Sequence, residues 1–193
     1  MTSDLTAREV AELSGAPKRT IEKAVEEGVF RPVATAGRRR GGRVLPNHAV
    51  AYALVIGKLR TRLDLASKHR LAARLAGLRP ATVAKARFEL EPAVEIDVGR
   101  LVGDGLARTA RYLAARGVHI VIDDGILGGT PVIRGTRLSV YSVLGRVADG
   151  DTLDDLLADN PDVAREALEA AVIYARSHPL VGRPGGRPWA TPA

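Results

Sequence analysis

The spacing of apolar residues near the start of the chain predicts two short helices. Thr6 can cap the first helix through the amide of Glu9, while the Glu9 carboxylate can reach back to the Thr6 amide. Gly15 ends this helix, Pro17 suits the first turn of the second one, and Gly28 is a natural glycine at its C-terminal end. Two short helices joined by a tight glycine turn indicate a helix-turn-helix.

A basic hairpin and a third helix follow the two helices. In RPVATAGRRRGGRVLP, residues 31–46, short β-prone runs lie on either side of a tip rich in glycine and arginine. NHAVAYALVIGKLR, residues 47–60, returns to helical spacing, with Asn47 as the expected N-cap. Helix, turn, helix, basic hairpin and helix is the order of elements in a winged helix.

This segment resembles the MerR-type DNA-binding head, in which LTAREVAELSGAPKRTIEKAVEEGVFRP corresponds to the two leading helices. The resemblance covers about residues 4–60, and the hairpin departs from it because it lacks the aromatic residues common there. The candidate DNA contacts are polar side chains at the front and outer face of the second helix and arginines of the hairpin. They are Lys18, Arg19, Thr20 and Lys23 on the helix and Arg38, Arg39, Arg40 and Arg43 in the hairpin.

Charge along the chain supports contact with a polyanion. The net charge is +7, to which residues 1–60 and residues 61–118 contribute +5 each, residues 119–177 contribute −5 and the last sixteen residues contribute +2. Clustered arginines repel one another unless an anion lies nearby, and a phosphate backbone supplies one. The N-terminal part is therefore expected to bind nucleic acid, and a solvated basic loop is the alternative interpretation of the hairpin.

The segment 61–117 shows no candidate chemistry. RTRLDLASKHRLAARLAGL predicts an amphipathic helix, RFELEPAVEIDV has strand character, and GRLVGDGLARTARYLAARG predicts another helix that ends at Gly117. The sequence therefore predicts a connector of helix and strand that could also pair two copies of the chain.

A strand at residues 118–122 and glycine-rich turns open the next segment, and three helices follow. These helices are expected at 139–148, 153–158 and 163–177, with Thr152 and Asp162 as N-caps of the last two. GILGGTPVIRGTRLSV, followed by DGDTLDDLLADNPDVAREALEAAVIYA, closely resembles the bacterial domain-of-unknown-function family numbered 433 over nearly all of residues 118–177. Members of that family occur as VapB-like antitoxins encoded beside toxins with PIN-type ribonuclease folds, so the resemblance implies an antitoxin.

Nothing in the sequence indicates an enzyme, a cofactor or a metal. The chain has no cysteine, and its four histidines show no ligand spacing. Asp123 and Asp124 are adjacent, so their side chains point apart. The glycine run GGTPVIRGTR matches neither GxGxxG nor a P-loop, and its glycines are expected to permit tight turns. Arg134 and Arg137 are expected to pair with acids such as those at 151–155.

The C-terminal tail LVGRPGGRPWATPA carries the one tryptophan of the chain. Its prolines favour extended conformations, which reduces the entropy lost on binding. Trp189 is the expected buried anchor, and Arg183 or Arg187 is expected to meet carboxylates. PIN-type nucleases gather Asp and Glu around Mg²⁺, so a guanidinium could neutralise that cluster and displace the metal. The alternative is that the tail folds back and Trp189 covers the protein's own apolar surface.

The predicted fold is mainly α with short β-hairpins: a winged helix-turn-helix followed by a small, helical C-terminal domain. The expected divisions are 1–60 for DNA binding, 61–117 as connector, 118–178 as antitoxin-type domain and 179–193 as toxin-binding tail. The favoured function is a cytoplasmic type II antitoxin, a homodimer without a membrane segment, that inhibits a PIN-type ribonuclease toxin and represses its own operon. A stand-alone winged-helix regulator with a dimerising or ligand-sensing C-terminal domain is the alternative, and an adaptor that never binds DNA is a third possibility.

Overall fold

The computed structural model describes residues 5–34, 43–59, 62–78, 80–83, 85–92 and 94–180. Within these ranges the protein is mainly helical, and its strands form short antiparallel pairs. The predicted fold class is confirmed at this level of detail.

Helices α1 (Ala7–Ser14) and α2 (Lys18–Glu26) form the expected helix pair. The predicted capping box is confirmed: the Glu9 amide donates to Thr6 Oγ1 at 3.1 Å, and the Thr6 amide donates to Glu9 Oε2 at 2.7 Å. Gly15 ends α1 with a φ of 70°, a left-handed conformation that favours glycine. The apolar faces of both helices are buried, including Val10, Leu13, Ile21 and Ala24.

A small antiparallel ladder follows the helix pair. Strand β1 (Val33–Ala34) pairs with β2 (Arg43–Val44), with Val33 opposite Val44. Leu5 joins the ladder beyond β2: its amide donates to the Leu45 carbonyl at 3.2 Å, and its carbonyl accepts from the Leu45 amide at 2.7 Å.

Helix α3 (His48–Lys58) is buried along most of its length. Asn47 occupies the N-cap position as predicted, but its side chain makes no capping hydrogen bond. An N-cap residue normally has an extended backbone, whereas Asn47 is already helical at φ −57° and ψ −32°.

The segment predicted as a connector contains helices and a strand pair. Asp64 is the N-cap of helix α4 (Leu65–Ala76), and its carboxylate accepts from the Ser67 amide at 2.7 Å. The short helix α5 (Pro80–Val83) follows. The predicted strand character is confirmed by β3 (Arg87–Glu91) and β4 (Val94–Asp97), in which Phe88 lies opposite Ile96.

Helix α6 (Val98–His119) does not end at Gly117 as the sequence predicts. It continues to His119, and the Ile120 amide still donates to the Arg116 carbonyl. The expected strand at 118–122 is therefore reduced to β5 (Ile120–Val121), which pairs with β6 (Val132–Ile133). A single glycine costs a helix only about 1 kcal/mol, which packing of the long helix outweighs.

Helices α7 (Val140–Ala148), α8 (Leu153–Asp159) and α9 (Arg165–Ser177) complete the described chain. Thr152 caps α8 as predicted and forms a capping box with Asp155. The predicted Asp162 cap is wrong, because Ala164 occupies the N-cap position of α9. A turn in which the Val163 amide donates to the Asn160 carbonyl moves the start of this helix to Arg165.

One continuous cluster of buried apolar residues runs through the described chain from Leu5 to Ala175. Helix α6 lies at its centre and packs on both α3 and α9, while α1 packs on α2, α3 and α9. The approach of α6 to α3 is close at Gly105, where a Cβ atom would lie 2.4 Å from Leu54 Cδ1. Helices from the predicted segments 1–60, 61–117 and 118–178 thus share one core.

Candidate nucleic-acid interface

Helix α2 presents three of the predicted DNA contacts to solvent. The side chains of Lys18, Arg19 and Lys23 are 45%, 71% and 61% exposed. Burial of Ile21 and Ala24 fixes which side of the helix faces outward. Thr20 is half-buried, and its amide donates to the Pro17 carbonyl at 2.9 Å.

Each of these cations has an acidic partner on the same helix or at its end. Lys18 Nζ lies 2.5 Å from Glu22 Oε1, and Arg19 NH1 lies 2.8 Å from Glu26 Oε1. The third pair, Lys23 and Glu27, is separated by 3.8 Å. The outer face of α2 is therefore rich in charge but nearly neutral in sum, which the spacing of the basic residues alone did not reveal.

The hairpin contributes one described arginine. Arg43 lies on β2 and is exposed. Arg38, Arg39 and Arg40 lie outside the described residues. The structure therefore brings the α2 cations together on one helix face and places Arg43 on the strand pair that follows α2 in the chain.

Sequence reasoning missed a buried polar cluster beneath α1, formed by Glu9, Tyr112, Arg116 and His178 and here called the Glu9 cluster. Glu9 is fully buried. Its Oε1 accepts from the Tyr112 hydroxyl at 2.7 Å and from Arg116 NH1 at 2.5 Å. His178 Nε2 lies 4.0 Å from Glu9 Oε2. Two of these partners belong to α6 and one follows α9, so the cluster joins the helix pair to both.

The Glu9 cluster holds Glu9 in its ionised form. Burial by itself would raise the pKa of Glu9, but Arg116, the Thr6 amide, His178 and the Tyr112 hydroxyl together outweigh it. The pKa of Glu9 therefore lies below its ordinary value of 4.5. Burial, together with the negative charge of Glu9, raises the pKa of Tyr112, so this phenol remains a hydrogen-bond donor.

The end of α9 is fixed on the protein body. The Tyr141 hydroxyl donates to the His178 carbonyl at 2.7 Å, and the rings of Tyr174 and His178 stack with centroids 4.1 Å apart. Pro179 and Leu180 are exposed. The predicted toxin-binding residues Arg183, Arg187 and Trp189 lie outside the described residues.

The glycine run of the C-terminal domain is used for turns, as expected. Gly128, Gly129 and Gly135 have φ values of 62°, 80° and 78°. A Cβ atom on Gly129 would also lie 2.7 Å from Asp124 Oδ1. The left-handed backbone at these positions favours glycine, so a bound phosphate is not needed to explain the glycine run.

The arginines beside this run do not pair as predicted. Arg134 Nε donates to the Val118 carbonyl at 2.7 Å. The acids of 151–155 pair elsewhere: Asp151 bonds Arg146, and Asp154 bonds Arg165. Arg146 also bonds Asp159 and so ties the loop before α8 to the end of that helix.

Neither a membrane span nor a metal centre is found within the ranges given above. None of the helices there combines the length and the apolar composition that crossing a lipid bilayer requires. Over the same residues, no three His, Asp or Glu side chains lie together so as to share a metal ion.

The C-terminal helices belong to a known class of domain: residues 120–175 match the family described as "Protein of unknown function (DUF433)". The whole chain is similar to "Uncharacterized protein y4eO" of Sinorhizobium fredii (strain NBRC 101917 / NGR234), with 32% identity over 192 residues that cover 93% of this chain and 83% of that protein. The chain therefore belongs to the same family as that protein and carries a DUF433 domain. Because the alignment covers 93% of this chain, the similarity to that protein extends beyond residues 120–175 into the N-terminal part. No solved structure matches the chain.

Proposed function

We propose that the protein is a DNA-binding antitoxin of the cytoplasm. In this proposal the helix pair and hairpin act as a winged helix-turn-helix on operator DNA, and the C-terminal part inhibits a PIN-type ribonuclease toxin. Two copies bind together, since a palindromic operator matches a two-fold dimer. The observation that carries the proposal is the orientation of α2, which buries its apolar side and turns Lys18, Arg19 and Lys23 outward.

The ion pairs on α2 are compatible with this function. Exposed pairs of this kind are worth only about 0–1 kcal/mol, so a phosphate can replace Glu22, Glu26 or Glu27 as partner at small cost. The acids also disfavour non-specific binding. Where a phosphate does not take the place of the carboxylate beside the cation, that carboxylate repels the DNA backbone. Arg43, on the strand pair that follows α2 in the chain, adds an exposed cation to the proposed DNA-binding segment.

The DNA-binding function is tested with the full chain and a duplex of roughly 30 base pairs, long enough for two half-sites one helical turn apart. Replacing Lys18, Arg19 and Lys23 together by Gln should weaken binding. It should also flatten the plot of the logarithm of the binding constant against the logarithm of the salt concentration, by about 0.9 in slope for each phosphate that the variant no longer neutralises. A control variant replaces three exposed cations elsewhere, Lys85, Arg100 and Arg165, in the same way. Equal binding by both variants would contradict the proposed role of α2.

The toxin-binding half rests on the DUF433 domain and its resemblance to VapB-like antitoxins. The anchored end of α9 supports it, because His178 is held by Tyr141 and Tyr174 directly before the segment with Arg183, Arg187 and Trp189. Because His178 is already held in place, fixing this end of α9 adds little to the entropy lost on binding a toxin.

This half is tested by co-expression with the product of the neighbouring gene, expected to be a PIN-like ribonuclease that co-purifies. Removal of residues 180–193 should release ribonuclease activity while DNA binding stays unchanged, and Trp189→Ala should release part of it. Full inhibition by the truncated chain would exclude the tail from the mechanism.

The Glu9 cluster favours a second candidate, a stand-alone transcription regulator. It connects α1 directly to α6 and to the end of α9, as a regulator needs if its C-terminal domain is to influence the helix pair. Retained DNA binding without any co-purifying nuclease would select this second candidate.

A further inference from the structure

A groove of about 650 Å³ lies between the turn that joins α1 to α2 and the helices α6 and α9. Its charged lining residues come from four different helices. They are Arg8 and Glu12 of α1, Lys18 of α2, Arg108 of α6 and Arg176 of α9. We call this region the cationic groove.

The cationic groove is not neutral. Four cations share the concavity with a single carboxylate, which leaves a formal charge of +3 among its charged lining residues. Glu12 Oε1 lies 3.4 Å from Arg176 NH1 and 4.0 Å from Arg108 NH2. Lys18 bonds Glu22, a carboxylate outside the lining whose pKa is lowered by that bond and also by the charge of Arg8, so with Glu22 included the formal charge is +2.

Pairing with Glu12 does not by itself account for this arrangement. The side chains of Arg108 and Arg176 remain 46% and 49% exposed, and exposed ion pairs contribute little to stability. Cations that converge on a concave surface repel one another and create a strong positive potential. An anion in the groove would relieve that repulsion.

We propose that the cationic groove binds a backbone phosphate of duplex DNA. This inference rests on the proposed DNA-binding function and adds to it Arg108 and Arg176, which lie outside the helix pair. A duplex is favoured over a small anion because Lys18 belongs both to the groove and to the outer face of α2. A strand that crosses the groove therefore runs along α1 and past the first turn of α2, and in a helix-turn-helix the first helix crosses the DNA backbone while the second lies in the major groove.

The test uses two substitutions of opposite sign in the full chain. Replacing Arg108 and Arg176 together by Gln removes two cations. The slope of the logarithm of the duplex-binding constant against the logarithm of the salt concentration should then become shallower by about 1 for each phosphate that the variant no longer binds. Glu12→Gln removes the one acid, so it should tighten binding at every salt concentration. A role of these residues in folding alone would not produce opposite effects.

Replacing Arg100 of α6 and Arg165 of α9 together by Gln is the matched control, since both are exposed arginines that do not line the groove. The binding and slope of this variant should equal those of the natural chain. Thermal melts followed by circular dichroism verify that all variants fold.

The possible failures are distinguishable. Duplex binding by the natural chain that is unaffected by the arginine and Glu12 substitutions would overturn the groove proposal and leave the α2 interface standing. The same result together with saturable binding of pyrophosphate would assign the groove to a small anion instead, and would also overturn it. A natural chain that does not bind duplex DNA at all would overturn the proposed function and the groove proposal together.

Discussion

At the scale of single residues, Glu9 combines a local and a long-range role. Its carboxylate caps α1 through the Thr6 amide, and the same carboxylate bonds Tyr112 and Arg116, which are 103 and 107 positions away. A buried carboxylate costs several kcal/mol unless it is paired and hydrogen-bonded. Both oxygens of Glu9 have such partners, so the charge is stable inside the protein.

The depressed pKa of Glu9 predicts how stability responds to acid. A lowered pKa in the folded state adds stability above the unfolded value of about 4.5, and this contribution is lost as the pH falls through the folded pKa. The glutamine in the variant Glu9→Gln cannot ionise. The variant should therefore have a lower unfolding free energy than the natural chain, by an amount that is constant near neutral pH and shrinks in acid. Urea denaturation at a series of pH values measures this difference.

A deficit that does not change between neutral and acidic pH would contradict an ionised Glu9. Arg111→Gln serves as the control, because Arg111 is exposed on the same helix as Arg116. Its effect on the unfolding free energy should be small at every pH.

At the scale of elements, α6 shows how packing sets the length and position of a helix. It contains glycines that the sequence pattern treats alike, but their surroundings differ. Around Gly103 there is open space, whereas Gly105 lies against the buried side chain of Leu54. The first glycine is therefore dispensable for packing, and the second permits close approach of α6 to α3.

Alanine at these two positions should have opposite effects. Gly103→Ala should stabilise the protein by roughly 0.5–1 kcal/mol, because alanine loses less backbone entropy in a helix. Gly105→Ala should be less stable than Gly103→Ala by about 1–3 kcal/mol, because its Cβ displaces Leu54. Chemical denaturation of both variants tests this, and equal stabilities would show that Leu54 moves aside without cost.

At the scale of the whole molecule, one core connects the N-terminal helix pair to the DUF433 domain. Helix α6 packs on α3 and α9, and α9 also packs on α1. The cationic groove and the Glu9 cluster both lie where these helices meet. A displacement of α1 or of α9 is therefore transmitted to the other helix through residues in direct contact.

The shared core predicts a single cooperative unfolding transition for the full chain. Calorimetric and van't Hoff enthalpies should agree, and the amides of α1 and α9 should exchange with solvent at similar rates. Two separate calorimetric transitions would mean that the segments expected at 1–60 and 118–178 unfold independently.

Local signals in the sequence were sufficient for most of the elements. The capping box at Thr6, the cap at Thr152, the turn at Gly15 and the strand character of 87–97 involve partners within a few positions, so they can be read from spacing. The errors at Gly117 and Asp162, and the missing side-chain bond of Asn47, lie at element ends, where packing and turn hydrogen bonds outweigh weak local preferences. For the same reason Arg134 was assigned the wrong partner.

By itself, then, the sequence determined the helical class, the helix pair, the outward cations of α2 and the DUF433 domain, since each depends on residues close together along the chain. Only the tertiary structure decided that Glu9 is a buried ion, that Arg8, Glu12, Arg108 and Arg176 line one groove, and that the predicted connector supplies the central helix. These features join residues as far apart in the chain as Glu12 and Arg176, which are separated by 164 positions. Which distant side chains meet depends on how the apolar faces pack, and no local pattern encodes that.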